Sequence, residues 1–297
     1  MKTKWIPTNE YYHQILDAPD GATRQQLYVD CLMRPWQPMM AMFGNDPSDP
    51  LAGARRWNWL LPDQVEEIAD LLAQLETADA WTIGQQAIHE GAARFSPYQD
   101  RIPFDTVEGW LMLADPARSY GTAGGYTGAT DWLEPRFVGQ YWEPNEYNLR
   151  CLPGLVVHEM HHLIRFRLYP WDMMKTSVAD YVVLEGMAES MATAVFGPDV
   201  LGFYVTQADT AALDTARQLI GANLEATGFN TIRGYIFGDD MAAEWGFEPV
   251  GGMPQYGGYA VGYHLVQAFL QRTGLTIEEA TFLPTAEIVA GSGFFDS

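Results

Sequence analysis

The run Leu155-Val-Val-His-Glu-Met-His-His-Leu-Ile164 constrains this chain more than any other stretch. Leu155, Val156 and Val157 before its polar centre, and Leu163, Ile164 and Phe166 after it, call for a helix buried on most of its faces. The same run carries three imidazoles and a carboxylate, and buried polar groups require partners. His158 and His162 are four positions apart, so on a helix their rings stack one turn apart on one face. Two imidazoles so placed can meet one metal ion, and His161, turned off that face, cannot join them.

The pattern is HExxH, and its chemistry suits zinc. Zinc takes neutral imidazole nitrogens at about 2.0–2.1 Å in a tetrahedral site, and a catalytic site leaves one of the four positions to water. A third protein ligand is then required. Glu159, next to the first histidine, points sideways from the ligand pair toward the neighbourhood of such a water, the position of a general base. The third ligand is expected from Val183-Leu-Glu-Gly-Met-Ala-Glu189 on the following helix. Glu185 is assigned to the metal and Glu189, one turn on, to a ligating histidine as the acceptor behind it. Gly186 and Ala188 would let the two helices approach closely. The expected complement is one Zn2+ per chain on His158, His162 and Glu185.

Of the 297 residues 38 are acidic and 17 basic, a net charge of -21, so the surface field repels phosphate backbones and anionic lipid heads. Nucleic acid and membrane are therefore not expected partners. Residues 1–14 contain no apolar segment after their lysines, and no run approaches the roughly 18 apolar residues of a membrane span, which points to a cytoplasmic protein. Cys31 and Cys151 form no CxxC pair and read as buried thiols. His13 and His89 read as structural or exposed.

Residues 11–93 carry mainly helical patterns, with Val65, Ile68, Leu71, Leu72 and Leu75 on one face after Pro62. Short apolar segments at Val107–Ala114 and Arg136–Trp142 read as strands, and the glycines of 121–128 between them as turn or edge-strand residues. Further helices are expected over 155–168, 178–196, 209–224 and 258–272, with a capping box at Thr276-Ile-Glu-Glu279.

HExxH followed by Glu185-Gly-Met-Ala-Glu189 resembles the gluzincin metallopeptidases. Together with Tyr259-Ala-Val-Gly-Tyr263 and the C-terminal Ala286-Glu-Ile-Val-Ala-Gly-Ser-Gly-Phe294, it is similar to the YjaZ-type predicted zinc-dependent proteases, over about residues 100–295. The resemblance implies an α+β, mainly helical, zincin-like catalytic domain over 101–297, with a small mixed sheet and an active-site helix, preceded by a helical region over 1–100 packed on it. It implies a peptidase acting on peptide or unfolded protein. It also implies that Tyr259 hydrogen-bonds the oxyanion of the intermediate, with Tyr263 and His264 as rivals, and that Gly124, Gly125 and Tyr126 lead into an edge strand that binds extended peptide. No third histidine follows at HxxGxxH spacing and no GxMEN segment precedes the motif, so metzincin and aminopeptidase arrangements are not indicated. Two other readings remain open: a zinc-stapled, peptide-binding or chaperone-like protein without turnover, its Trp and Tyr lining a groove, and a zinc hydrolase of a small amide or ester.

Overall fold

The computed structural model describes all residues except 45, 47, 118–123 and 297. The glycine-rich segment read as turn or edge strand thus lies outside the described residues over 121–123. Two compact units are present, residues 1–96 with 104–163, and residues 97–103 with 164–297. The first unit joins the N-terminal helices, and a strand that precedes the stretch read as helical, to residues 104–163.

In the first unit, β1 (Lys2–Trp5) pairs in parallel with β2 (Thr106–Leu113), which pairs in parallel with β4 (Arg136–Tyr141). Strand β3 (Tyr126–Thr130) is antiparallel to β4 and lies at the sheet edge, giving the order β1-β2-β4-β3. Strand β1 is too short to show a long alternation, but Lys2 and Lys4 are exposed while Thr3 and Trp5 turn inward. Its pairing with β2 ties the N-terminal helices to the sheet. These are α1 (Thr8–Leu16), α2 (Gly21–Tyr28), α3 (Gln37–Met42), α4 (Ala52–Arg56), α5 (Val65–Thr77) and α6 (Ala80–Arg94). Ile68, Leu71, Leu72 and Leu75 form the buried face of α5, as their spacing requires. Trp36, Trp59 and Trp110 are buried and meet edge to face at 5.8–6.3 Å from Trp36.

Helix α7 (Glu146–Leu168) carries the histidine motif and starts well before Leu155, the expected first residue. Pro153 sits inside it, where a missing N–H ordinarily breaks a helix. The preceding turns are fixed independently: Asn145 Oδ1 accepts the Asn148 N–H at 2.9 Å, and the Tyr141 hydroxyl donates to the Asn148 carbonyl at 2.9 Å. Leu155 of α7 reaches the sheet at Gly139, and Val157 and Met160 reach α6 at Gly91.

The second unit contains α8 (Val178–Phe196), α9 (Phe203–Thr206), α10 (Thr210–Gly221), α11 (Phe229–Phe237), α12 (Asp239–Glu244), α13 (Gly257–Thr273), α14 (Ile277–Ala280) and α15 (Thr285–Ser292). Helix α8 starts at a capping box of Ser177 and Asp180, and α14 at the expected box of Thr276 and Glu279. Every residue of α8 from Val178 to Ala192, Asp180 apart, is buried, so it is enclosed on all sides. Its core partners include Ile220, Ile236, Met253 and Val261. Residues 97–103 join this unit through Phe282, over which the Arg101 guanidinium lies at 3.9 Å. The fold is thus α+β, mainly helical with a small mixed sheet, as a zincin-like domain requires. Cys151 is buried, whereas Cys31, expected to be buried too, is half-buried; both are free thiols. No helix among the described residues is long and apolar enough to cross a membrane.

Gly186 of α8 faces Gly262 of α13. A Cβ on it would fall 2.0 Å from the Gly262 carbonyl oxygen, and one on Gly262 would fall 2.3 Å from the Val182 carbonyl oxygen. Helices α8 and α13 therefore meet backbone to backbone. Gly186→Ala should separate them and lower stability by about 1–3 kcal/mol, the usual cost of overpacking. A urea midpoint equal to that of the parent chain would contradict this packing.

Candidate metal centre

The three polar side chains of the HExxH motif lie together inside the first unit. His158, Glu159 and His162 are 4%, 5% and 6% exposed, so none is an ordinary surface group. The two imidazoles stand at right angles with ring centroids 4.5 Å apart, as residues one helical turn apart on one face must. One donor atom from each of the three residues lies within 4.8 Å of the others. Two imidazole nitrogens and a carboxylate oxygen so gathered form a possible metal site, and their chemistry suits zinc. His161, turned off the face of that pair, is fully buried with its ring 6.3 Å from that of Phe95. His13 pairs with Glu76 at 2.8 Å on the surface, and His89 is exposed.

Edge strand β3 shapes the surroundings of Glu159. Thr130 Oγ1 donates to Glu159 Oε2 at 2.9 Å, a buried bond across 29 positions of sequence. A hydroxyl donated to one carboxylate oxygen fixes the plane of the group and compensates its lost hydration. On the other side, a Cβ on Gly128 would sit 2.1 Å from Glu159 Oε1 and 2.4 Å from its Cδ. The space that Gly128 leaves is therefore the space that the carboxylate occupies. Thr130 does not stand out in the sequence as belonging to the site, and Gly128 reads there only as a turn or edge-strand glycine. Strand alternation puts both on one face of β3, but nothing local aims that face at α7.

Gly124, Gly125 and Tyr126, expected to bind substrate, are buried. Gly125 has φ +76 and lies against Asn148 and Glu143, while the Tyr126 ring stacks on Tyr141 at 5.4 Å. Gly124 and Gly125 form the turn that enters β3 at Tyr126. The accessible part of the strand is Thr127 to Ala129.

Glu185 and Glu189 belong to the second unit, one turn apart on α8, and are 5% and 2% exposed. Carboxylates this deep do not behave as a solvated acidic face. Gly202 adjoins Glu189, since a Cβ there would lie 2.5 Å from Glu189 Oε1. Tyr259 is half-buried on the first turn of α13, stacked on Tyr204 at 5.0 Å and 5.9 Å from Phe237. Tyr263 is half-buried one turn further on, and His264 is exposed.

A family model described as "Predicted Zn-dependent protease (DUF2268)" matches residues 80–290, a span that holds α7, α8 and the start of α13. The chain belongs to this family. It is also 30% identical over 299 residues to the Bacillus subtilis (strain 168) "Uncharacterized protein YjfC", with 98% of each chain covered. No solved structure matches. The buried His/Glu cluster lies within the span matched by the family so described, and its donor chemistry agrees with that description.

Because the Glu159 carboxylate fills the place of a Gly128 side chain, Gly128→Ala should destabilise the unit by about 1–3 kcal/mol. Glu159→Ala in the same chain should restore most of that loss. Urea denaturation of the two single variants and the double variant reads the coupling, and strictly additive losses would mean that the two positions do not compete for space.

Proposed function

We propose that this protein is a zinc-dependent peptidase of the gluzincin type, with His158, His162 and Glu185 as the metal ligands and Glu159 as the general base. The observation that carries the reading is the buried, edge-to-face pair of imidazoles with the Glu159 carboxylate beside it. Two imidazoles leave a zinc ion short of a protein ligand. Glu185 fits that need by its chemistry, as a buried carboxylate on the helix that follows the motif. Glu189 then accepts from the free ring nitrogen of a ligating histidine.

A zinc ion held there would supply Lewis-acid chemistry, lowering the pKa of a bound water to about 7 and polarising the scissile carbonyl. The residues of the chain do the rest. Glu159, oriented by Thr130 and with room beside Gly128, takes a proton from the attacking water and delivers it to the leaving amine. Tyr259 donates its phenol hydrogen to the carbonyl oxygen as negative charge develops there. Thr127 to Ala129, the accessible stretch of the edge strand, pairs with an extended peptide through main-chain hydrogen bonds. A peptide or unfolded protein is the substrate that such an edge suits.

A metal that merely stapled helices would need neither the Thr130 bond nor the vacated position at Gly128, which orient a carboxylate next to the histidines. Of the tryptophans that a chaperone-like groove would use, Trp36, Trp59, Trp81 and Trp110 are buried and the other six are half-buried.

Glu159→Gln tests the assignment. The variant should bind one zinc per chain, by elemental analysis, and lose about 10²–10⁴-fold in turnover of a peptide library, the range for loss of a general base. Undiminished cleavage would remove Glu159 from the mechanism, and absence of cleavage by the metal-loaded parent chain would remove the peptidase reading.

A further inference from the structure

Asp239, the first residue of α12, directs its carboxylate at a loop 11 to 14 positions further along the chain. Oδ1 accepts the Val250 N–H at 2.7 Å and the Gly251 N–H at 3.2 Å. Oδ2 accepts Gly252 at 2.5 Å, Met253 at 3.1 Å and a second share of Gly251 at 3.1 Å. Asp239 in turn donates its own N–H to the Met253 carbonyl at 3.1 Å. Gly251 and Gly252 both have φ +96, the backbone state that turns successive N–H groups toward a single anion. Partial burial pushes the Asp239 carboxyl up, but the bonds from Gly252, Gly251, Val250 and Met253 outweigh it and hold the group below the ordinary carboxylate range.

Four amides on one carboxylate are more than a surface loop needs to stay folded, and the loop leads directly to the start of α13. Tyr256 N–H donates to the Phe237 carbonyl at 3.0 Å, and Tyr256 itself takes the left-handed conformation, φ +56, that a tyrosine rarely adopts. Such a conformation persists only where the surroundings over-determine it. From that turn α13 starts, with Gly258 closed against Ile236, where a Cβ would lie 2.6 Å from the Ile236 Cα. Tyr259 follows, its ring 6.0 Å from Tyr256 and stacked on Tyr204. Anchor, strained turn and phenol form one continuous path.

We infer that Asp239 is a positioning residue for Tyr259: by clamping residues 250–253 it fixes the turn at Tyr256 and so the direction in which Tyr259 presents its hydroxyl. The inference rests on the reading of Tyr259 as the donor to the carbonyl oxygen. A clamp that only stabilised the fold would leave turnover per folded molecule unchanged.

The test is a double-mutant cycle on the zinc-loaded full chain with a cleaved library peptide. Tyr259→Phe should lower kcat about 10²-fold, as loss of an oxyanion donor does. Asp239→Asn keeps the size of the side chain but places an N–H₂ against amides that need an acceptor, and should lower kcat about tenfold or more through misplacement, with KM changed little. The double variant should be no slower than Tyr259→Phe alone, because a phenylalanine has no hydroxyl to misplace. Hydrogen exchange in Asp239→Asn should speed up at residues 250–253 and also at the first turn of α13. If Asp239→Asn does not fold, Gly252→Ala takes its place in the cycle, since it strains the loop at φ +96 and leaves the carboxylate intact. An unchanged kcat in the folded variant, losses that multiply in the double variant, or loosening confined to 250–253 would each overturn the inference. A parent chain and Tyr259→Phe of equal kcat would instead overturn the role of Tyr259 itself, and no cleavage by the parent would overturn the peptidase reading.

Discussion

Helix α7 takes two imidazoles and a carboxylate, on His158, His162 and Glu159, out of water into surroundings built from Leu155, Val156, Val157, Met160, Leu163 and Ile164. Burial of such groups costs several kcal/mol unless each finds a donor, an acceptor or a cation. The first unit meets part of that demand from the sheet. β3 lies antiparallel to β4 at the edge, in a register that pairs Gly128 with Gly139 and Thr130 with Phe137. One face of β3 thus offers Glu159 both an open space and a hydroxyl. A slip of a single residue would reverse the faces of the strand and put Thr127 and Ala129 there instead. The site therefore depends on the register of one strand pair as much as on the motif.

The second unit obeys a different constraint. Helix α8 has no exposed stripe along most of its length, so its packing is set by how closely its neighbours approach rather than by an amphipathic pattern. Gly186 and Gly262 let α8 and α13 touch through their backbones. That contact fixes the position of α13 along α8, while the loop clamped by Asp239 fixes how α13 begins. Glu185 and Tyr259, the two residues of this unit to which the proposed chemistry assigns roles, stand on the two helices so joined.

Much of this was legible in the residues. The helix over Val178–Phe196 follows from the Gly197-Pro198 pair that stops it, and the helix over Val65–Thr77 from its spacing of leucine and isoleucine. Both signals are local, because a helix is closed by bonds four residues apart. Strand β1 escaped notice because four residues, two of them lysine, give no periodicity against which to judge them; its partner stands about a hundred positions away. The start of α7 is not legible locally because Pro153 ordinarily marks a first turn, whereas the bonds that fix the earlier start come from Tyr141 and Asn145, on the strand and turn before it.

The sequence by itself determined that His158 and His162 would face one way with Glu159 beside them, and that the glutamates of Val183–Glu189 would share a helix, since both are consequences of 3.6 residues per turn. Tertiary structure alone decided that Gly128 and Thr130 would enclose the Glu159 carboxylate, that Gly186 would face Gly262, and that Asp239 would hold the approach to Tyr259. Those contacts join segments with no repeating spacing between them, and only the pairing of strands and the packing of helices brings their atoms within reach.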